Sequence, residues 1–169
     1  MNRSFFLGSI AALMLFSPAL ADSADVLGAF KNWTAYSTGS GDSKTCYAMS
    51  APRATEPKNL KRGAIFLMVS DWPGRKVKAE PQIVLGYPVK ENAPAALAIG
   101  AAKFAFFARG TGSAWLQQVG DTGRLIDTLG KGVSAVASGV SARGTKTTDT
   151  YSLAGFPDAL AKIHDVCKM

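Results

Sequence analysis

Residues 139–167 read GVSARGTKTTDTYSLAGFPDALAKIHDVC. The stretch decides the fold, because it reads as a strand, a polar turn, a second strand over 147–153 and, directly afterwards, a helix opening near Pro157. Pro157 suits a first helical turn, where a missing N–H has no partner to lose. Asp158 near the start and Lys168 at the end complement the helix dipole. Phe156, Leu160, Ile163 and Cys167 follow steps of four, three and four, which places them on one apolar stripe and turns Cys167 toward a core. The segment before the turn, 133–142 (VSAVASGVSA), reads as a strand of small residues against which another element can lie close.

Upstream the chain is a series of short strand signals. Residues 22–28 carry no strong pattern. Residues 30–36 (FKNWTAY) read as the first strand and 45–49 (TCYAM) as the second, a hairpin across the Gly/Ser-rich loop between them. Residues 52–63, with two prolines and four basic side chains, read as a loop. The apolar run 64–69 (AIFLMV) is expected to be a strand buried on both faces. Pro73-Gly74 predicts a type II turn. Residues 81–89 predict a proline-edged outer strand. Residues 95–100 are ambiguous, 103–107 and 114–116 read as strands across a glycine-rich turn, and 121–130 predicts a short helix with Asp121 at its N-cap and Leu125 and Leu129 on one face. Many short strands with helix concentrated late predict a mainly β protein: an antiparallel β-sandwich or barrel-like domain with a short helix and a packed C-terminal helix. A doubly wound parallel sheet is disfavoured.

The chain has 169 residues. Residues 1–21 carry a basic start at Arg3, an apolar run over 5–16 and small residues at Ala19 and Ala21, the pattern of a cleaved export signal. The run is too short for a bilayer span, which takes about 20 apolar residues. The expected mature chain, 22–169, is a single soluble, basic, exported domain with no further membrane-length run. The full chain has 19 Lys and Arg against 12 Asp and Glu; without Arg3, 18 remain against 12, a net of +6. Its two cysteines, Cys46 and Cys167, are expected to pair in an oxidising compartment.

Residue chemistry offers little for catalysis. One histidine, His164, and two distant cysteines cannot supply the three or four ligands of a zinc site, so no metal or other cofactor is expected. His164 reads as incidental, near a solvated helix end. Ser141 in Gly-Val-Ser-Ala-Arg, with Asp149 or Asp158 and then His164, follows a hydrolase order. However, Arg143 stands where the nucleophile elbow needs glycine. Cys167 and His164 lie three apart on one helix and could form a thiol pair, against which the core-facing stripe argues. Two basic clusters remain, Arg53, Lys58, Lys61 and Arg62, and Arg75, Lys76 and Lys78. Solvated charge is their ordinary reading. Their functional reading is attraction to an unknown protein or an anionic envelope component, with nucleic acid not expected.

The string SARGTKTTDTYSL over 141–153, followed by Gly155-Phe156, resembles the invasion-associated locus B family. Ser141, Arg143, Gly144, Thr148, Asp149 and Tyr151 carry the likeness. Ala114-Trp115-Leu116, Lys131-Gly132 and Lys44-Thr45-Cys46-Tyr47 support it. The resemblance implies a mostly β protein of the periplasm or outer envelope, or secreted, with a role named for host-cell invasion and no catalytic residues to carry over. Some relatives bear a further cysteine where this chain has Ser37 and Thr38, which leaves Cys46–Cys167 as the intramolecular pairing. The expected function is non-enzymatic binding of a macromolecular partner or envelope component. The alternatives are a secreted hydrolase using Ser141 or Cys167 with His164, and a small-molecule carrier with a large apolar cavity.

Overall fold

The computed structural model describes residues 23–169; the expected export signal over 1–21 lies outside them. Period-two alternation dominates. The strand Ala102–Arg109 buries Phe104, Phe106 and Ala108 while Lys103, Ala105 and Arg109 face solvent, as a sheet with one solvated face requires. In chain order the strands are β1 (Asp25–Phe30), β2 (Trp33–Thr38), β3 (Thr45–Ser50), β4 (Ala54–Glu56), β5 (Phe66–Trp72), β6 (Val77–Val84), β7 (Ala93–Ile99), β8 (Ala102–Arg109), β9 (Ser113–Leu116), β10 (Ser134–Val140) and β11 (Lys146–Ser152). The helices are α1 (Thr122–Lys131) and α2 (Phe156–Cys167).

Among the described residues all eleven strands form one antiparallel sheet in the order β1-β2-β3-β5-β6-β9-β8-β7-β10-β11-β4, with β1 and β4 at its edges. The expected class, mainly antiparallel β with a short helix and a packed C-terminal one, is what is observed. No helix among the described residues is long and apolar enough to cross a membrane.

Several local readings shift. The first aromatic stretch is two strands, because Lys31 takes a left-handed turn conformation (φ 53°) between β1 and β2. The loop expected over 52–63 contains β4, which pairs Glu56 with Thr148 and Ala54 with Thr150. The apolar run is not buried on both faces: in β5 Leu67 and Val69 are buried while Phe66 and Met68 are half-buried. Pro73–Arg75 is a 3-10 turn, and its left-handed residue is Lys76 (φ 54°) rather than Gly74. Gly74 is required for another reason: a Cβ there would collide with the Asp42 carbonyl oxygen. β6 is an interior strand, not an edge. It pairs with β9 only over Gln82–Val84, so Pro81 lies just beyond that ladder. Asp121 holds the N-cap position of α1 without capping it; its carboxylate pairs with Arg124 instead.

α2 lies across β1, β2, β3 and β5. Phe156, Ala159, Ile163 and Cys167 are its buried stripe, with Ala159 in place of the expected Leu160, which is half-buried. Phe156 meets Trp33 edge to face, centroids 4.9 Å apart. Burying a side chain such as Phe156 contributes about 1.5–3 kcal/mol. The Trp33 indole N–H donates to the Ser152 carbonyl (3.0 Å), which satisfies the polar end of a fully buried ring. Cys167 is bonded to Cys46 on β3, the Cα atoms 6.0 Å apart, and neither thiol is free. On the other part of the sheet the small residues of β10 serve as expected. A Cβ at Gly139 would lie 2.8 Å from the Tyr87 hydroxyl and from a Leu85 methyl. The Leu85–Tyr87 segment therefore packs close against β10.

Candidate functional site: a cationic hairpin beside an aromatic cleft

The residues from which a triad can be drawn are engaged separately. Ser141 closes the β10–β11 turn, where its Oγ accepts the Thr145 N–H at 3.1 Å. Cys167 is spent in the disulfide. His164 is not incidental. Its Nδ1 lies 2.7 Å from Oδ2 of Asp71, a carboxylate on β5 that is fully buried. The other oxygen, Oδ1, accepts the Ala79 N–H at 2.9 Å. Asp71 also stands opposite Cys46 in the β3–β5 ladder. One buried carboxylate thus links α2, the disulfide strand and β6.

Arg62 departs from the solvated-charge reading. Its side chain is 3% exposed, and it forms a two-pronged ion pair with fully buried Asp149. Nη1 reaches Oδ2 at 2.9 Å and also donates to the Leu85 carbonyl (3.4 Å). The guanidinium sits over the Tyr87 ring, 5.8 Å from its centroid, and the Tyr87 hydroxyl shares a 2.6 Å hydrogen bond with Thr147. Burial pushes the Asp149 carboxyl up, against the opposing pull of Arg62. Burial likewise pushes up the hydroxyls of Tyr87 and Tyr151. The Tyr151 hydroxyl is buried without a hydrogen-bond partner among the described residues. These residues include part of the motif in 141–153, and they act as a clasp. Arg62 and Tyr87 bind the 57–63 loop and the Leu85–Val89 crossing onto β11. Arg62 is therefore removed from the candidate contact surface. Arg143 and Thr148 are exposed and Gly144 takes the left-handed turn position (φ 86°).

Arg53, Lys58 and Lys61 are exposed around β4. Arg75, Lys76 and Lys78 are exposed on the β5–β6 hairpin, and none of these six makes an ion pair among the described residues. The hairpin has a built shape. The β5–β6 register shifts between Ser70 and Trp72, and Ala79 adopts φ 55°. The Asp71 carboxylate holds the Ala79 amide at this bulge. Bulges re-aim neighbouring side chains, and this one sets Lys78 and Glu80 on the outer face. Arg75 lies over the Trp72 ring, 5.3 Å from its centroid, and Trp72 donates its indole N–H to Glu80 (3.0 Å).

Beside the hairpin a cleft of about 570 Å³ opens on the outer face of β6, β9 and β8. Phe107 and Trp115 form its apolar floor, exposed Val119 stands at its lip, and Lys76 and Lys78 stand on its rim. Phe107 and Trp115 face each other across the β8–β9 ladder, centroids 6.4 Å apart. A second groove of about 630 Å³ crosses β7, β8, β10 and β11 over small residues such as Ala96, Ala105 and Ser138. Both are surface features rather than the interior cavity a carrier needs. Sequence reading missed the cleft because Phe107 and Trp115 lie on separate strands, with Trp72 on a third strand outside the lining. The signal present was the run Trp72-Pro73-Gly74-Arg75-Lys76, which sets an aromatic side chain close to two basic ones.

Comparison with known proteins agrees with the fold. The crystal structure of invasion associated protein B from Bartonella henselae is similar to this chain, with a TM-score of 0.59 and 14% sequence identity over 84% of this chain and 98% of the other. Among curated protein sequences none matches. The family model described as invasion associated locus B (IalB) protein matches residues 33–164, most of the described chain. The chain belongs to the invasion associated locus B family.

Proposed function

We propose that this chain is an exported, non-enzymatic protein of the periplasm or outer envelope that binds an anionic macromolecule or envelope component. The observation that carries the reading is the β5–β6 hairpin, where Arg75, Lys76 and Lys78 are exposed without acidic partners among the described residues. A cluster of like charges on a pre-shaped hairpin raises the local concentration of anions and speeds their capture. The engaged states of Ser141, Cys167 and His164 support binding over hydrolysis. The similar Bartonella protein is an invasion associated protein, which adds contact with a host cell as one setting for such a partner.

The test is crosslinking in intact cells with partners identified by mass, comparing the natural chain with a variant carrying Arg75→Glu, Lys76→Glu and Lys78→Glu. The variant is expected to lose the partners captured by the natural chain. An unchanged partner list removes the hairpin from the contact surface. Fractionation of the same cells tests the compartment: chain confined to the cytoplasm contradicts export.

A further inference from the structure

We infer that the cleft beside the hairpin takes an acidic polysaccharide, with sugar faces stacked on Trp115 and Phe107 and anionic groups met by Lys76 and Lys78. The inference rests on the anionic-partner reading and names the chemistry of that partner.

The first support is the pairing of apolar floor with cationic rim. The Trp115 and Phe107 centroids are 6.4 Å apart with the rings tilted by 35°; Arg109, itself paired with Glu91, lies over Phe107, and exposed Val119 stands at the lip. Lys76 and Lys78 are exposed above them. The one acid among the described residues that line the cleft, Glu80, already accepts the Trp72 indole N–H. A ligand that is only charged leaves the rings bare, and a neutral apolar one leaves the lysines unmet. A sugar acid satisfies both, because its ring offers C–H faces and its carboxylate or sulfate offers charge.

The second support is that the motif repeats. Trp72 with Arg75 stands at one end (5.3 Å) and Phe107 with Arg109 at the other (4.8 Å). The cleft, which includes Phe107, lies on β6, β9 and β8, and β5 is the next neighbour in the sheet. Neighbouring strands are about 4.8 Å apart, so a stripe across four of them is about 14 Å wide, longer than one sugar ring and suited to linked sugars.

The third support separates a polysaccharide from an extended peptide. β6, β9 and β8 are interior strands, and over the cleft β9 is paired on both sides. No free strand edge is available there for a peptide to extend the ladder. Binding must run through ring faces and point charges, which a polysaccharide satisfies without a backbone amide pattern.

The experiment uses the oxidised, purified chain and isothermal titration. The probes are polygalacturonate and heparin, with polyglutamate, single-stranded DNA and phosphatidylglycerol vesicles in parallel. At least one polysaccharide is expected to bind, with affinity falling about tenfold or more in Trp115→Ala and in Lys76→Ala/Lys78→Ala. Trp115→Leu guards against a folding defect, and circular dichroism must match for all variants. The lysine variant should also flatten the salt dependence, while Trp115→Ala should leave its slope unchanged. Binding of either polysaccharide that is indifferent to Trp115 overturns the inference and leaves the broader anionic-partner reading standing. Tighter, Trp115-dependent binding of polyglutamate, DNA or vesicles also overturns it, in favour of that class. No binding of any anion overturns both readings.

Discussion

Two fully buried carboxylates, Asp149 and Asp71, stand in different parts of one sheet and do opposite things with the basic residues around them. Asp149 draws Arg62 inward, across 87 residues of sequence, and the pair pins the Leu85–Val89 crossing to β11. Asp71 spends its oxygens on the Ala79 amide and on His164, so its neighbours Arg75, Lys76 and Lys78 stay in solvent. The difference teaches that a basic cluster in a sequence has no fixed meaning. What decides is whether a desolvated carboxylate is left with free lone pairs for a guanidinium or has already filled them with backbone and imidazole.

Variants at four places break or sharpen that contrast, in falling order of effect. Replacing both cysteines, Cys46→Ser with Cys167→Ser, releases the α2 side and is expected to cost about 4–5 kcal/mol by loop-closure reasoning, given the separation of 121 residues. Urea unfolding measures it; a loss below about 1 kcal/mol would show α2 held by packing alone. On the clasp side, Arg62→Met strands the Asp149 charge and should cost about 3–5 kcal/mol. Adding Asp149→Leu should recover most of the loss, since an apolar pair of similar bulk replaces a desolvated ion pair at little net cost. If the double variant is as unstable as the single, the clasp carries more than charge compensation.

Asp71→Asn is expected to cost about 1–3 kcal/mol and to speed hydrogen exchange at the Ala79 amide. Protection unchanged at Ala79 would separate the bulge from the carboxylate. The smallest effect belongs to Tyr151→Phe, within about 1 kcal/mol of the natural chain and of either sign, because the hydroxyl has no partner to lose among the described residues. Its pH signature is clearer. Burial raises the Tyr87 and Tyr151 hydroxyls above their ordinary value of 10.0, so the folded chain keeps protons that the unfolded chain releases. That contribution to stability is whole below about pH 10 and is lost as pH rises beyond it. Tyr151→Phe should make the alkaline decline shallower, as followed by tyrosinate absorbance and denaturant midpoints. An unaltered decline would place it elsewhere.

Much of the fold was legible because period-two alternation and one amphipathic helix are local signals. The strand–turn–strand–helix over residues 139–167 could be read directly, as could the need for something to lie against the small residues near Gly139. β1 was not legible: its bulge at Gly28 and its half-exposed residues leave no alternation to detect. Nor was β4, whose three residues become a strand only because β11 offers a free edge. At the site, cysteine pairing followed from residue count and helix phase. Arg62–Asp149 and Asp71–His164 could not be read, because each joins residues more than 80 positions apart with no periodicity to connect them. Gly74 shows a further limit. The sequence marks a turn correctly, while the steric reason lies in a neighbouring loop at Asp42.

The bond between Cys46 and Cys167 also imposes an order of events. A chain delivered amino end first presents Cys46 early, and its partner arrives only after the last helix. The same is true of Trp33, whose indole waits for the Ser152 carbonyl, and of Asn32, whose amide waits for Ala154. Until that late segment emerges, β1, β2 and β3 lack the helix that covers them. The early third of the molecule is thus a client of its own tail. Whatever handles the emerging chain must keep a thiol and an apolar sheet face from finding the wrong partner in the interval.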